Sequence, residues 1–141
     1  MTVLIDTNVI LDDILNRASN AEAARKINQL VIDMKIDAYI TANCLTDIFY
    51  IVSKNRDESI ARKTIRGLLL SFMVIGVDGD DCLKAIDLPT NDFEDALVVV
   101  CADKARLDYI ITNDKGFLAE SHLGVRSISP AEFLLMYADR S

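Results

Sequence analysis

Five short runs of aliphatic and β-branched residues punctuate this chain, at about 3–5, 38–41, 73–77, 109–112 and 125–128. Between them, apolar residues recur at helical spacing over about 8–17, 20–35, 43–54, 57–71, 79–87, 92–106, 115–120 and 130–138. The short runs predict strands and the longer periodic segments predict helices. Strands that alternate with helices predict a parallel sheet covered on both faces, an α/β fold with about five strands. The two prolines, Pro89 and Pro130, both precede helical segments. No repeat, low-complexity tract or linker interrupts the pattern, and 141 residues predict a single domain over 1–141.

Composition narrows the class. Apolar residues make up 51% of the chain, enough for a packed core and against disorder. The longest unbroken apolar run covers 96–102, whereas a membrane span needs about 20 residues. The opening "MTVLID" has no basic segment and no small-residue cleavage site, so no signal peptide is expected. A soluble, cytoplasmic protein without a membrane partner follows as the expectation. Cys44, Cys82 and Cys101 are odd in number and far apart, which reads as reduced thiols and not as a disulfide frame. One histidine, His122, and no CxxC leave no ordinary zinc site, and His122 reads as a loop residue. The net charge is −7. Proteins that grip nucleic acid through phosphates alone are usually basic. Either nucleic acid is not the partner, or the acids are gathered where cations bind.

The acids fall at suggestive places. Asp6 ends the first strand in "VLIDTNVI", and Asp114 follows the fourth in "YIITND". Ligands of open parallel sheets sit beyond the carboxyl ends of the strands. Asp47 lies in "CLTDIFYIV", where Leu45, Ile48, Tyr50 and Ile51 predict a largely buried helix. Asp95, in "NDFEDAL", has Val98 and Val99 at i+3 and i+4, which puts it on an inward face. Each acid also has a purely structural reading. Asp6 can cap the helix that follows it. Asn91 can cap the helix at 92–106, with Glu94 as its capping-box partner and Asp92 favouring the helix dipole. Capping would then be supplied without Asp95. A carboxylate beside the apolar flanks of Asp47 is costly unless something pairs with it. If these acids converge, repulsion raises their pKa values. A hard divalent cation such as Mg²⁺ or Mn²⁺ removes that cost and can support phosphodiester hydrolysis without a Ser, Cys or His nucleophile.

In this order, "LIDTNVILD", "TDIFYIV", "DFEDALVVVCA", "IITNDKGF" and "SPAEFL" resemble the PIN-domain ribonucleases, and among them the VapC-like toxins of toxin–antitoxin pairs. The likeness runs from Val3 to about Leu134. It implies an α/β/α sandwich, Mg²⁺ or Mn²⁺ dependence and an RNA substrate. For toxin members it also implies a homodimer and a small antitoxin partner. Carried over by motif, the catalytic acids are Asp6, Asp47, Asp95 and Asp114, with Asp6, Asp95 and Asp114 as the metal ligands. Asn8 and Thr112 are supporting residues, and Asp92 lies near the site. Asp47 departs from the family's usual glutamate, and its shorter arm draws that carboxylate back by about one methylene.

RNA contacts have weaker signals. The richest basic stretch, 54–66, holds Lys54, Arg56, Arg62, Lys63 and Arg66; Arg17 and Lys115 flank the acids. The favoured reading of that stretch is a solvated face with a Glu58–Arg62 pair at i,i+4, as charge runs usually are. Tyr39, Tyr50 and Tyr109 can stack on bases, but tyrosines in apolar runs more often serve the core. Two other functions compete: a catalytically inactive PIN fold that binds RNA or protein, and a receiver-like phospho-acceptor domain. A receiver calls for an acidic pair after the first strand and a lysine near the last, and "SISP" lacks the lysine. A haloacid-dehalogenase phosphatase would want D-x-D-x-T, where this chain has Asn8.

Overall fold

A computed structural model of the chain describes residues 1–119 and 124–140. Five strands form one sheet: β1 (Thr2–Ile5), β2 (Asp37–Thr41), β3 (Met73–Ile75), β4 (Tyr109–Ile111) and β5 (Ser127–Ile128). Their order is β3-β2-β1-β4-β5, and every pairing is parallel. The α/β expectation therefore holds, and the helices fall in the predicted intervals. They are α1 (Thr7–Ile14), α2 (Ala21–Ile32), α3 (Ala42–Asn55), α4 (Glu58–Ser71), α5 (Gly79–Ile86), α6 (Phe93–Lys104), α7 (Lys115–Ala119) and α8 (Pro130–Arg140). The third and fifth strands are shorter than their apolar runs. His122 and the end of the helix expected over 115–120 lie outside the described residues.

Side chains alternate across the sheet, as a period of two requires. Val3 and Ile5 of β1 pack with α1 to α4 and with Phe133 of α8. Leu4 between them packs with Val98, Cys101 and Ala102 of α6 on the other face. Helix α6 is buried on all sides from Ala96 to Ala102. One flank joins the sheet, and another packs Ala96, Leu97 and Val100 against Ala85 of α5. This is why its sequence is apolar without periodicity. At the end of α6, Lys104 Nζ reaches the buried Asp81 carboxylate at 2.6 Å and the Gly76 carbonyl at 2.8 Å, which ties α6 to α5. All three cysteines are free, as expected. No helix among the described residues is long and apolar enough to cross a membrane.

The topology fixes where a ligand can sit. From β1 the chain moves outward through β2 to β3, then crosses back to place β4 on the other side of β1. The connections leaving β1 and β4 diverge, and this reversal opens a crevice beyond their carboxyl ends. Asp6 and Thr112 are the first residues past those two strands.

Candidate active site

Asp6 is 8% exposed and caps α1, its Oδ1 accepting from the Thr7 N–H at 2.8 Å. Its Oδ2 accepts from the Thr112 hydroxyl at 2.8 Å and from Asn8 Nδ2 at 3.3 Å. The capping reading is thus correct for Asp6, and it does not exhaust the residue. Burial pushes the Asp6 carboxyl up, while the Thr112 and Thr7 bonds pull it down; Asp114 and Asp92 add a smaller upward push.

The loop after β4 is fastened to the same point. The Asp114 N–H donates to Thr112 Oγ1 at 3.1 Å, and the Asn113 N–H to Asn8 Oδ1 at 3.3 Å. Asn113 Nδ2 donates to the 3% exposed Asp12 at 2.7 Å. Asp114 Oδ1 accepts from the N–H groups of Gly116 and Phe117, which opens α7. A Cβ at Gly116 would lie 3.2 Å from that oxygen, which favours glycine there.

At the start of α6 the structure corrects one expectation. The N-cap is Asp92, not Asn91, and its carboxylate accepts from the Asp95 N–H at 3.1 Å. Asp95, not Glu94, therefore holds the third helical position, which leaves Glu94 free to serve elsewhere. The Asp95 carboxyl is pushed up to about 7 by burial, and then by the charges of Asp92, Asp6, Asp114 and Glu94. Glu94 is likewise pushed up to about 7, by burial first and then by its hydrogen bond to Asp47. Asp47 makes no salt bridge among the described residues, and it lines the same pocket as Glu94 of α6.

These groups line one open pocket of about 370 Å³. Asp6, Asn8, Asp47, Asp92, Asp95 and Asp114 all reach it, together with Glu94. Among the described residues Arg17 is the cation that lines it; its Nη1 lies 3.6 Å from Asp12. Thr112 sits behind Asp6, fully buried. Among the expected RNA contacts, Lys54, Arg62, Arg66 and Lys115 do not line the pocket. Arg62 instead grips Glu58 at 2.8 Å and lies over the Phe49 ring, as a solvated helix face does. Tyr50 is a second correction: it is 60% exposed and lines the pocket, so it is no core residue. Its signal was positional, three residues from Asp47 and hence on the same helix face. A separate cavity of about 40 Å³ beneath α1 and α2 is mainly aliphatic, and its polar pair, Asp13 and Asn28, is already mutually bonded.

The donor set is made of hard carboxylate oxygens with amide and hydroxyl support, the chemistry suited to Mg²⁺ or Mn²⁺. Among the described residues, no three His, Cys, Asp or Glu side chains stand close enough together to hold an ion as they are. Asp114 Oδ1 is engaged by backbone N–H groups. The set therefore fits a hard cation by chemistry, with ligation requiring the side chains to draw in.

A five-stranded parallel sheet flanked by helices, with clustered acids at its switch point, defines an α/β domain of the PIN type. The chain belongs to the PIN domain family, whose model matches residues 2–116. It is 28% identical over 120 residues to Ribonuclease VapC1 of Aquifex aeolicus, covering 82% of this chain and 83% of that one. Its fold is similar to VapC20 of Mycobacterium tuberculosis, described as a sarcin-ricin loop cleaving toxin (TM-score 0.68, 15% identity, 88% of this chain and 98% of that one). It is also similar to DNA-bound VapBC from Salmonella typhimurium (TM-score 0.67, 16% identity, 92% and 98%). A receiver-like reading fails on topology as well, since receivers follow the order 2-1-3-4-5 and this sheet runs β3-β2-β1-β4-β5.

Proposed function

We propose that this protein is a metal-dependent endoribonuclease of the VapC-like toxin type. The observation that carries the reading is the convergence of Asp6, Asp47, Asp95 and Asp114, from four separate segments, on one pocket at the switch point of the sheet. The similarity to a ribonuclease over most of both chains supports it. Asp6, Asp95 and Asp114 would hold Mg²⁺ or Mn²⁺, with Asp47 beside them. When bound, such an ion supplies Lewis acidity to the phosphoryl group and lowers the pKa of water. The protein's own part is positional. Thr112, Asn8 and the Thr7 N–H fix both oxygens of Asp6. Asn8 and Asp12 fix the loop that carries Asp114. Arg17 offers a cation to a phosphate at the rim.

Partners follow from the same reading. Toxins of this type are neutralised by a small antitoxin, and similarity to the VapBC complex supports such a partner here. A homodimer is the expected assembly. The deciding experiment incubates purified protein with structured and single-stranded RNA in Mn²⁺ or in chelator. Cleavage should need the metal and vanish in Asp95→Asn. Full cleavage by highly purified Asp95→Asn would refute the catalytic role of Asp95, and RNA binding without Mn²⁺-dependent cleavage by the parent protein would favour an inactive, binding-only PIN fold.

A further inference from the structure

Asp47, Tyr50 and Lys54 lie on one face of α3, at i, i+3 and i+7. Asp47 stands in the acidic pocket, and Tyr50 lines its wall. Lys54 lies one further turn along, about 10 Å from Asp47 by helical rise, with Nζ 5.3 Å from the centre of the Tyr50 ring. Exposed apolar side chains occur elsewhere on this surface, Leu70 and Met34 among them. Tyr50 differs because its flat ring opens onto the pocket that carries the chemistry. Among the described residues Lys54 makes no salt bridge. Its cation is therefore uncommitted to any carboxylate, unlike that of Arg62.

We propose that this stripe of α3 is the track for an unpaired RNA nucleotide, with its base stacked on Tyr50 next to the scissile phosphate and the following phosphate met by Lys54. The proposal rests on the nuclease reading above and adds the residues that hold the substrate beside the site. Bases in a duplex already stack on their neighbours, so a lone aromatic platform selects a base that is splayed out. The ammonium near the ring fits both roles, since it tolerates an aromatic face and attracts a phosphate. On a protein of net charge −7, stacking supplies affinity that diffuse electrostatics cannot.

The test measures binding apart from cleavage. Full-length protein with Asp95→Asn is titrated into a short single-stranded RNA carrying 2-aminopurine, and into the matching duplex. The single strand should bind more tightly than the duplex, with quenched fluorescence. Adding Tyr50→Ser should weaken single-strand binding at least about fivefold and abolish the quenching, while Tyr50→Phe keeps both. Lys54→Ala should lower the slope of log affinity against log salt by about 0.7. Unchanged affinity and quenching in Tyr50→Ser, or a duplex bound as well as the single strand, overturns the proposal. So does a Tyr50→Ser protein that keeps RNA binding and loses only a protein partner, which would assign the stripe to protein docking. Absence of Mn²⁺-dependent RNA cleavage by the parent protein would instead remove the nuclease reading and leave the stacking result standing. Tyr50 is exposed, so an unaltered melting temperature in both variants verifies that folding is not at issue.

Discussion

The buried Thr112 hydroxyl donates to Asp6 Oδ2 at 2.8 Å, across 106 positions of sequence. Thr112 Oγ1 in turn accepts from the Asp114 N–H at 3.1 Å. One hydroxyl therefore sets the spacing between two carboxylates that neighbouring strands deliver. It also lowers the Asp6 pKa against the opposing effect of burial.

Thr112→Val removes that hydroxyl with little change in shape. It strips Asp6 of its shortest side-chain partner and leaves the Asp114 N–H without its acceptor. The expected cost is about 1–3 kcal/mol of stability, the range for leaving buried polar groups unmade. Urea unfolding measures it. RNA cleavage should fall more than stability alone explains, and Thr112→Ser should recover most of both. A Val variant as active as the parent would show that Thr112 does not position Asp6.

Asp95→Asn tests the repulsion in the pocket. Asp95 is raised to about 7 in the folded protein, from an ordinary 3.8. A carboxyl whose folded pKa lies above its unfolded one binds its proton more tightly when folded. Its protonation thus favours folding below about pH 4, and that contribution is lost as pH rises towards 7. The metal-free protein should be more stable near pH 5 than near pH 8, and Asp95→Asn should flatten the difference. The variant's melting temperature at pH 8 should equal or exceed the parent's while cleavage is lost. Calorimetry across pH measures this; a melting temperature that drops sharply at pH 8 would mean that Asp95 is structurally required.

Much of this site was legible in the sequence, because strand ends and helix starts are local features. Asp6 and Asp114 could be placed from their strands, and Asp95 from the apolar residues that follow it. What escaped depended on tertiary pairing. Nothing local indicates that Asp12, on the buried side of α1, will hold Asn113 from 101 positions away. Nor does "CLTDIFYIV" reveal that Tyr50 faces out, since its flanks are apolar and only the packing of α3 on α4 selects the exposed side. The start of α6 was misread by one residue, because Asn91 and Asp92 are both good caps and the choice rests on backbone geometry.

Asp12→Ala would test the longest of these ties. The Asn113 amide would lose its 2.7 Å acceptor and Arg17 its anion. Stability should fall by about 1–3 kcal/mol, and RNA cleavage should fall with it as the Asp114 loop loosens. Asp12→Asn keeps an acceptor for Asn113 and should recover most of the stability. Faster hydrogen exchange in the segment around Asn113, seen in Asp12→Ala but not in Asp12→Asn, would locate the effect; equal exchange in both would sever Asp12 from the site.

Glu94 and Asp47 meet across the pocket from two helices, and Glu94 is raised to about 7 by burial and by that bond. Asp95 beside it titrates in the same range. A divalent ion needs these carboxyls ionised, so protons compete with it around neutrality. Mn²⁺ affinity should therefore climb as pH rises from about 6 to 8 and then level off. Binding near pH 6.5 should release protons, measurable by titration calorimetry in buffers of different ionisation enthalpy. Glu94→Gln removes one competing proton. The released fraction should shrink, and the affinity curve should become shallower in pH even if the ion never touches Glu94. Binding that releases no proton near pH 6.5 and is flat across this window would mean that the carboxyls are already ionised, and the coupling between α3 and α6 would have to be abandoned.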